Sequence, residues 1–114
     1  QFTRFDATLT DGLKQNLNII SDIVGKKSNR IENRGHATPE ALPPDSAFRD
    51  QIDLSFARAI AAAEYLVEEG IDRRRLLVSA AGDSEPRIRT RQKEGQTLNR
   101  RVDVFLIDSY ITHP

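Results

Sequence analysis

Arg58 and the proline-bearing segment before it, residues 36–50, contain the side chains with the clearest capacity for chemistry. The segment follows a Gly-His pair, includes three prolines and leads into a helix whose second turn holds Arg58. A guanidinium presents a planar fork that fits a carboxylate, and a helix N-terminus adds N–H donors for an anion. The residues alone leave two interpretations open: an anion-binding site, or a surface ion pair of Arg58 with Asp53 or Glu64.

Metal binding and nucleophilic catalysis have weaker support in the sequence. The two histidines are His36 and His113 and there is no cysteine, so zinc would need carboxylates at no recognised spacing. Ser55 lacks the glycine-flanked turn of a hydrolase nucleophile. Asp45 and Asp50 precede a helix, where acidic residues are ordinary because they favour the helix dipole. We therefore expect no enzyme, no metal and no cofactor.

Composition indicates one soluble globular domain over residues 1–114. Hydrophobic residues make up 38% and charged residues 30%, and the formal net charge is zero, so no global field attracts nucleic acid or anionic lipid. The arginines between residues 87 and 101 have no aromatic side chains among them for base stacking, which favours ordinary surface charges. The chain begins in mid-pattern without a leader or an apolar span, so a fragment of a longer protein is expected.

Apolar residues at three-to-four-residue spacing predict two helices. The first has Thr10 as its N-cap, continues to about Val24 and stops at Gly25. The second begins at Asp53 and ends at Gly70.

The second helix is expected to bury one apolar stripe. Its members are Phe56, Ile60, Ala63 and Val67, with Ala59 and Leu66 beside them. Arg58 lies two residues, or about 200°, around the helix from Phe56, so its side chain is expected to point away from the core.

Alternating or continuous apolar runs predict four strands. They cover residues 1–5, 29–35, 76–81 and 102–106, and residues 86–96 connect the last two. The order is β-α-β-α-β-β. Strand-helix-strand units favour parallel neighbours, so the expected fold class is α/β, a two-layer sandwich with helices packed on a mixed four-stranded sheet.

Several motifs in this order resemble the OmpA-like peptidoglycan-binding domain. They are "RGHAT" at the end of the second strand, "DLSFARA" in the second helix, "GIDRRRL" after it and "LNRRVDVFL" in the last strand. The early "FTRFDATLTDGLKQNL" is also similar to that family, so the resemblance covers nearly the whole chain. The long loop followed by "FRDQIDLSFARA" most resembles the flagellar-stator MotB branch.

The resemblance implies a non-catalytic domain that holds a diaminopimelate-containing peptide of the cell wall. In the family, a helix arginine takes the ligand's carboxylate and the aspartate of a G-H-T-D motif takes its ammonium. Carried over by motif, the candidate ligand-binding residues are Arg58, Thr38, His36, Gln51, Asn99 and Arg100. Gln51 replaces a family asparagine, and Asn99 and Arg100 match the motif that borders the pocket.

Thr38 is the main departure from the family pattern, because it stands where the family has aspartate. A hydroxyl accepts a hydrogen bond but brings no negative charge to an ammonium. Three explanations remain open: an acid of the loop, Glu40, Asp45 or Asp50, substitutes; the ligand differs; or the domain binds the wall weakly.

The resemblance also implies a setting and leaves two alternatives. The expected location is the periplasm, with attachment to the inner or outer membrane through a segment preceding Gln1, and a homodimer in a flagellar motor. The first alternative is a dimerisation or protein-interaction module whose peptidoglycan binding is weakened or lost. The second is nucleic-acid binding through residues 87–101, which the neutral net charge disfavours.

Overall fold

The computed structural model describes residues 1–86 and 99–107, and within them the chain forms two helices and three strands. In chain order the elements are α1 (Asp11–Val24), β1 (Arg30–Gly35), α2 (Gln51–Glu68), β2 (Leu76–Ala80) and β3 (Val102–Ile107). A 3₁₀ turn (Arg73–Arg75) precedes β2. Most of the predicted 86–96 connection lies outside the described residues.

β1 lies at the centre of a mixed sheet. It pairs in parallel with β2, where Ile31 is opposite Leu76, and antiparallel with β3, where Ile31 is opposite Leu106. The mixed α/β character is therefore confirmed. The predicted fourth strand is absent from the described residues, in which the sheet has three strands in the order β2-β1-β3.

Residues 1–6, here called the N-terminal segment, do not form the strand predicted at residues 1–5. Phe5 has a φ of 58°, and a residue in this left-handed region interrupts the extended backbone of a strand. The segment is held instead by the side chain of Phe2, which is 1% exposed, and by a 2.9 Å hydrogen bond from the Phe2 amide to the Arg100 carbonyl. The expectation of a first strand is wrong because Phe2 is buried without pairing in the sheet.

Both helices cover the same face of the sheet, which gives the two layers. α2 packs directly on β1 and β2, and α1 packs against α2. The buried core cluster contains Leu17, Val24, Ile31, Ala62, Leu66 and Ile71. Its members come from both helices, from β1 and from the turn after α2, so this one core fixes the orientation of α2 on the sheet.

The helix ends follow local signals. The Thr10 hydroxyl accepts a hydrogen bond from the Leu13 amide, which confirms the predicted N-cap of α1. The N-cap of α2 is Asp50 rather than Asp53, because the Asp50 carboxylate accepts the Asp53 amide and places Asp53 in the first turn. Gly70, at a φ of 104°, follows the end of α2 as expected.

The buried face of α2 includes Ala59, Ala63 and Leu66 as predicted, but it differs from the predicted face at Phe56 and Arg58. Phe56 is 44% exposed, whereas Arg58 is fully buried. The buried residues of the helix are Leu54, Ser55, Arg58, Ala59, Ala62, Ala63 and Leu66. Small side chains let α2 approach β1 so closely that a Cβ placed on Gly35 would lie 1.7 Å from the Ser55 carbonyl oxygen. An aromatic ring cannot fit in that gap, so the small residues, and Arg58 with them, face inward.

Substitution of Gly35 by alanine is expected to destabilise the fold by about 3 kcal/mol, because the new methyl group collides with helix backbone that cannot move independently of the core. Urea denaturation followed by circular dichroism measures the loss. Gly12→Ala is the matched control, since a Cβ there meets nothing within 4 Å, and it should leave stability equal or slightly higher. Equal stability of Gly35→Ala and the wild type would contradict the close helix–strand contact.

Candidate functional site

Arg58 is the centre of the candidate site, and the protein itself encloses it. Its Nε donates to the Asp6 carbonyl at 2.8 Å, its Nη1 to the His36 carbonyl at 3.0 Å and its Nη2 to the Thr3 carbonyl at 3.1 Å. Two of these acceptors belong to the N-terminal segment and the third follows β1. The arginine therefore joins α2 to two other parts of the chain.

The electrostatic surroundings of Arg58 are unusual for a buried cation. Burial, followed by repulsion from Arg100, lowers the pKa of Arg58 to about 10, while Asp6 acts in the opposite direction. The guanidinium remains protonated at neutral pH, and its hydrogen-bond partners are uncharged carbonyls. The ring of Phe2, 5.1 Å from the guanidinium carbon, adds a cation–π contact. This charge lacks a directly bonded carboxylate within the described part of the chain.

Two expectations for Arg58 are wrong because its side chain is fully buried. It does not form a surface ion pair with Asp53 or Glu64, and it does not point away from the core. Asp53 accepts the Arg49 amide at 3.0 Å and lies 3.8 Å from the Arg49 guanidinium, so it pairs with a different arginine. Arg58 is buried because it lies one helical turn before Ala62 and two turns before Leu66 on the inward face.

Thr38, two residues after the His36 carbonyl that binds Arg58, lies in a small polar network. Its side chain is largely buried, and its hydroxyl donates to Glu40 Oε1 at 3.2 Å. The other carboxylate oxygen of Glu40 forms an ion pair with Arg4 of the N-terminal segment. Gln51, the first residue of α2, donates from its side-chain Nε2 to the Glu40 carbonyl at 2.8 Å. Loop, helix and N-terminal segment therefore meet at Glu40.

His36 contributes its backbone rather than its ring to Arg58. Its carbonyl accepts from Arg58, and its amide donates to the Arg101 carbonyl at 2.9 Å. The ring is 2% exposed, and its Nε2 lies 3.0 Å from Asp103 Oδ2. Burial, followed by the charge of Arg101, lowers the pKa of His36, whereas Asp103 and Glu85 raise it. The ring is thus buried against the Asp103 carboxylate of β3.

Asn99 and Arg100 approach the site from the start of β3. Asn99 is 3% exposed. Arg100 donates from Nε to the Phe2 carbonyl at 2.9 Å and accepts the Phe2 amide through its own carbonyl. The described contacts therefore link the expected residues Arg58, His36, Thr38, Gln51 and Arg100 through the N-terminal segment and Glu40, and Asn99 is adjacent in sequence to Arg100.

The sequence interpretation missed the N-terminal segment as part of the site. Thr3 and Asp6 act through backbone carbonyls, which no side-chain pattern reveals. Arg4 would have been found only by pairing it with Glu40, which is 36 residues away in sequence. Of the three acids considered as substitutes near Thr38, Glu40 makes the contact, Asp45 is exposed and Asp50 caps α2.

Other candidate groups have structural contacts. The buried Ser55 hydroxyl donates to the Ile52 carbonyl and accepts the Gly82 amide, so it ties α2 to the turn after β2. Residues 1–86 and 99–107 contain no cluster of three or more metal-ligating side chains. His113 and the basic side chains at residues 87–93 lie outside the described residues.

The OmpA family model matches residues 1–100 of the 114. The chain belongs to the OmpA family. This match includes every residue of the candidate site, and it confirms the resemblance that the sequence motifs indicate.

Solved structures of similar fold include MotB domains. The C-terminal domain of Helicobacter pylori MotB is 20% identical in one crystal form, with a TM-score of 0.87 over 96% of this chain and 84% of that one. A MotB-like protein from Desulfovibrio vulgaris is 22% identical, with a TM-score of 0.82 over 99% of this chain and 70% of that one. The cell wall anchor of the type VI secretion system from Pseudomonas aeruginosa is 26% identical, with a TM-score of 0.77 over 90% of this chain and 71% of that one. These structural likenesses confirm the α/β fold.

A shorter similarity concerns a different class of protein. Ribosomal RNA small subunit methyltransferase G of Thermoanaerobacter pseudethanolicus is 35% identical over 68 residues, which are 59% of this chain and 28% of the enzyme. The chain thus spans about a quarter of the curated relatives it matches, and no methyltransferase activity is carried over to this OmpA-family domain. Among the described residues, no helix is both long and apolar enough to cross a membrane.

Proposed function

We propose that this OmpA-family domain is a non-catalytic anchor that binds peptidoglycan by recognising a diaminopimelate-containing stem peptide. The observation that carries the proposal is the state of Arg58, a buried cation whose hydrogen-bond partners are neutral carbonyls. A carboxylate would supply the charge that these partners lack, and it fits a guanidinium fork.

Arg58 retains donors for such a ligand. A guanidinium has five N–H groups, and the described residues take three of them, one on each nitrogen. One N–H on Nη1 and one on Nη2 therefore have no acceptor among the described hydrogen bonds. We infer that a ligand carboxylate is bound by this pair, with Arg100 nearby adding positive charge.

The remaining candidate residues have supporting roles in this proposal. The Thr38 hydroxyl holds the Glu40 carboxylate, the Gln51 side chain holds the Glu40 carbonyl, and the His36 carbonyl orients Arg58. Asn99 and Arg100 border the pocket. Because Arg58 is fully buried, the ligand must displace part of the N-terminal segment, whose Thr3 and Asp6 carbonyls are the acceptors that can move without disturbing the sheet.

The proposed setting is the periplasm, since the similar structures include MotB periplasmic domains and a cell wall anchor. In this proposal residues 1–114 form one domain at the C-terminal end of a longer protein. A preceding segment attaches that protein to the inner or outer membrane. A homodimer in a flagellar stator is the specific context that the MotB likeness favours.

Binding to purified peptidoglycan sacculi tests the function. The wild-type domain is expected to sediment with sacculi and to be released by free meso-diaminopimelate, while Arg58→Ala, checked for folding by circular dichroism, remains in the supernatant. Arg49→Ala is the matched control, because the Arg49 side chain is 88% exposed and the residue directly precedes the N-cap of α2.

Two outcomes would contradict the proposal at different levels. No sedimentation of the wild type would overturn peptidoglycan binding itself. Sedimentation that excess meso-diaminopimelate does not reverse would overturn the ligand assignment, and this second result needs no variant and is independent of any folding defect in Arg58→Ala.

A dimerisation or protein-interaction module is the second candidate. The enclosure of Arg58 by three carbonyls favours this candidate, because a fully covered arginine can stabilise the fold without binding any ligand. Sedimentation velocity across a concentration series, with calorimetric titration of meso-diaminopimelate, separates the candidates. Self-association without any heat of binding would support the second.

A further inference from the structure

Glu40 is an acid whose position is fixed from two sides. The side-chain Nε2 of Gln51 donates to the Glu40 backbone carbonyl at 2.8 Å, and the Thr38 hydroxyl donates to the Glu40 carboxylate at 3.2 Å. Its side chain is 23% exposed, so it can meet a solute at the surface of the loop. Glu40 is therefore held in place by both the helix and the loop, unlike an exposed acid that only makes the segment more soluble.

Glu40 is also linked to Arg58 along two short paths. One path runs through Thr38 and the two residues back to His36, whose carbonyl binds Arg58. The other runs through Arg4, adjacent in sequence to Thr3, whose carbonyl also binds Arg58. The carboxylate and the guanidinium are thus joined through the same two parts of the chain, residues 36–40 and the N-terminal segment.

These two groups have opposite charges and different occupants. Arg58 donates to neutral carbonyls and has no directly bonded carboxylate among the described residues, whereas Glu40 is already paired with a cation, the guanidinium of Arg4. Arg4 is half exposed and belongs to the N-terminal segment. In the proposed function, this segment must move before a ligand can reach Arg58. Displacing that segment would remove Arg4 from Glu40 at the same time.

We propose that Glu40 binds the ammonium group of a ligand whose carboxylate binds Arg58, and that Arg4 occupies Glu40 until the ligand displaces it. This inference rests on the proposed function and assigns the anionic half of the site, which Thr38 cannot supply. Thr38 then serves to orient the Glu40 carboxylate. The recognised chemistry is a zwitterionic amino-acid group.

Calorimetric titration with two probes tests the assignment: meso-diaminopimelate, and pimelate, which has the same two carboxylates but no amino groups. The wild type is expected to bind meso-diaminopimelate at least tenfold more tightly than pimelate. Glu40→Gln should weaken meso-diaminopimelate binding by about tenfold and leave pimelate binding nearly unchanged, because only the ammonium contact is lost. Asp45→Asn, an exposed acid of the same loop, is the matched control and should behave as the wild type.

Two further variants separate recognition from a structural role. Arg4→Gln should bind meso-diaminopimelate several-fold more tightly than the wild type, and this gain should vanish in the Arg4→Gln, Glu40→Gln double variant. Thr38→Asp in the Glu40→Gln background should restore affinity, since it returns a carboxylate to the same place. A purely structural Glu40 would show neither the gain nor the rescue.

The outcomes distinguish the inference from the function beneath it. If the wild type binds meso-diaminopimelate in an Arg58-dependent way but Glu40→Gln binds it equally well, the Glu40 assignment is overturned and the proposed function stands. If the wild type binds neither probe, the proposed ligand is wrong and the assignment falls with it. Unchanged affinity in Arg4→Gln would overturn the role given to Arg4.

Discussion

Replacement of Arg58 by methionine is expected to lower the free energy of unfolding by about 3–5 kcal/mol, the range for removing one partner of a buried charged interaction. Methionine roughly preserves the length and burial of the side chain but donates no hydrogen bonds. The carbonyls of Thr3, Asp6 and His36 would then lose their donor. An unsatisfied buried acceptor costs about 1–3 kcal/mol, and partial access of water to the N-terminal segment moderates the sum.

Urea denaturation of the two proteins at pH 7, followed by far-ultraviolet circular dichroism, measures this difference. Arg49→Met is the control, because its guanidinium is mostly in solvent and 3.8 Å from Asp53, and its effect should be below about 0.5 kcal/mol. An Arg58→Met domain as stable as the wild type would show that the three hydrogen bonds contribute little, and that burial of the arginine is not a structural requirement.

Substitution of Phe2 by alanine should cost about 3 kcal/mol or more, as expected for truncating a buried phenylalanine. The ring is 1% exposed and lies over the Arg58 guanidinium, so its loss opens the core and removes the cation–π contact together. Because Phe2 is also hydrogen-bonded to Arg100 through its backbone, the whole N-terminal segment should loosen. Hydrogen exchange at the amides of residues 2–8 reports that loosening.

Phe56→Ala is the matched control for Phe2→Ala. Phe56 is 44% exposed on α2, and its removal should change the free energy of unfolding by less than about 1 kcal/mol. The contrast is sharp because the sequence pattern predicts the reverse, with Phe56 in the core stripe. If Phe56→Ala proves the more damaging substitution, the inward face of α2 is misassigned.

The parts of the fold that sequence can predict are those with a local cause. Thr10 caps α1 through its own hydroxyl, and Gly70 follows α2 with the positive φ that glycine allows. The strands at 29–35, 76–81 and 102–106 correspond to β1, β2 and β3 within a residue or so at each end. Short polar β1 was identifiable mainly from Ile31, which is completely buried.

The inward face of α2 has a tertiary cause and could not be read from its own periodicity. Two faces of this helix are plausible by apolar content, one with Phe56 and one with Ser55 and Ala62. The choice depends on Gly35 in another element, whose missing side chain lets the small face approach. Hydropathy favours the larger residues, whereas close packing favours the smaller ones, and packing decides.

The candidate site is partly visible in sequence for a related reason. Motif resemblance selects Arg58 and flags Thr38, but the residues that surround them act across long sequence separations. Thr3 and Asp6 contribute main-chain oxygens, which any residue type would provide. Glu40 was one of three acids in the loop, and only the structure places it against Thr38.

The attachment of the N-terminal segment to Arg58 also gives the domain a mechanical direction. Tension applied at residue 1 acts first on Phe2, through its buried ring and its two hydrogen bonds with Arg100. If the Phe2 contacts break, the next hydrogen bonds along the chain are those of the Thr3 and Asp6 carbonyls to Arg58. Each bond that parts frees a donor on the arginine, so a pull along the chain would favour the same open state as the proposed ligand carboxylate.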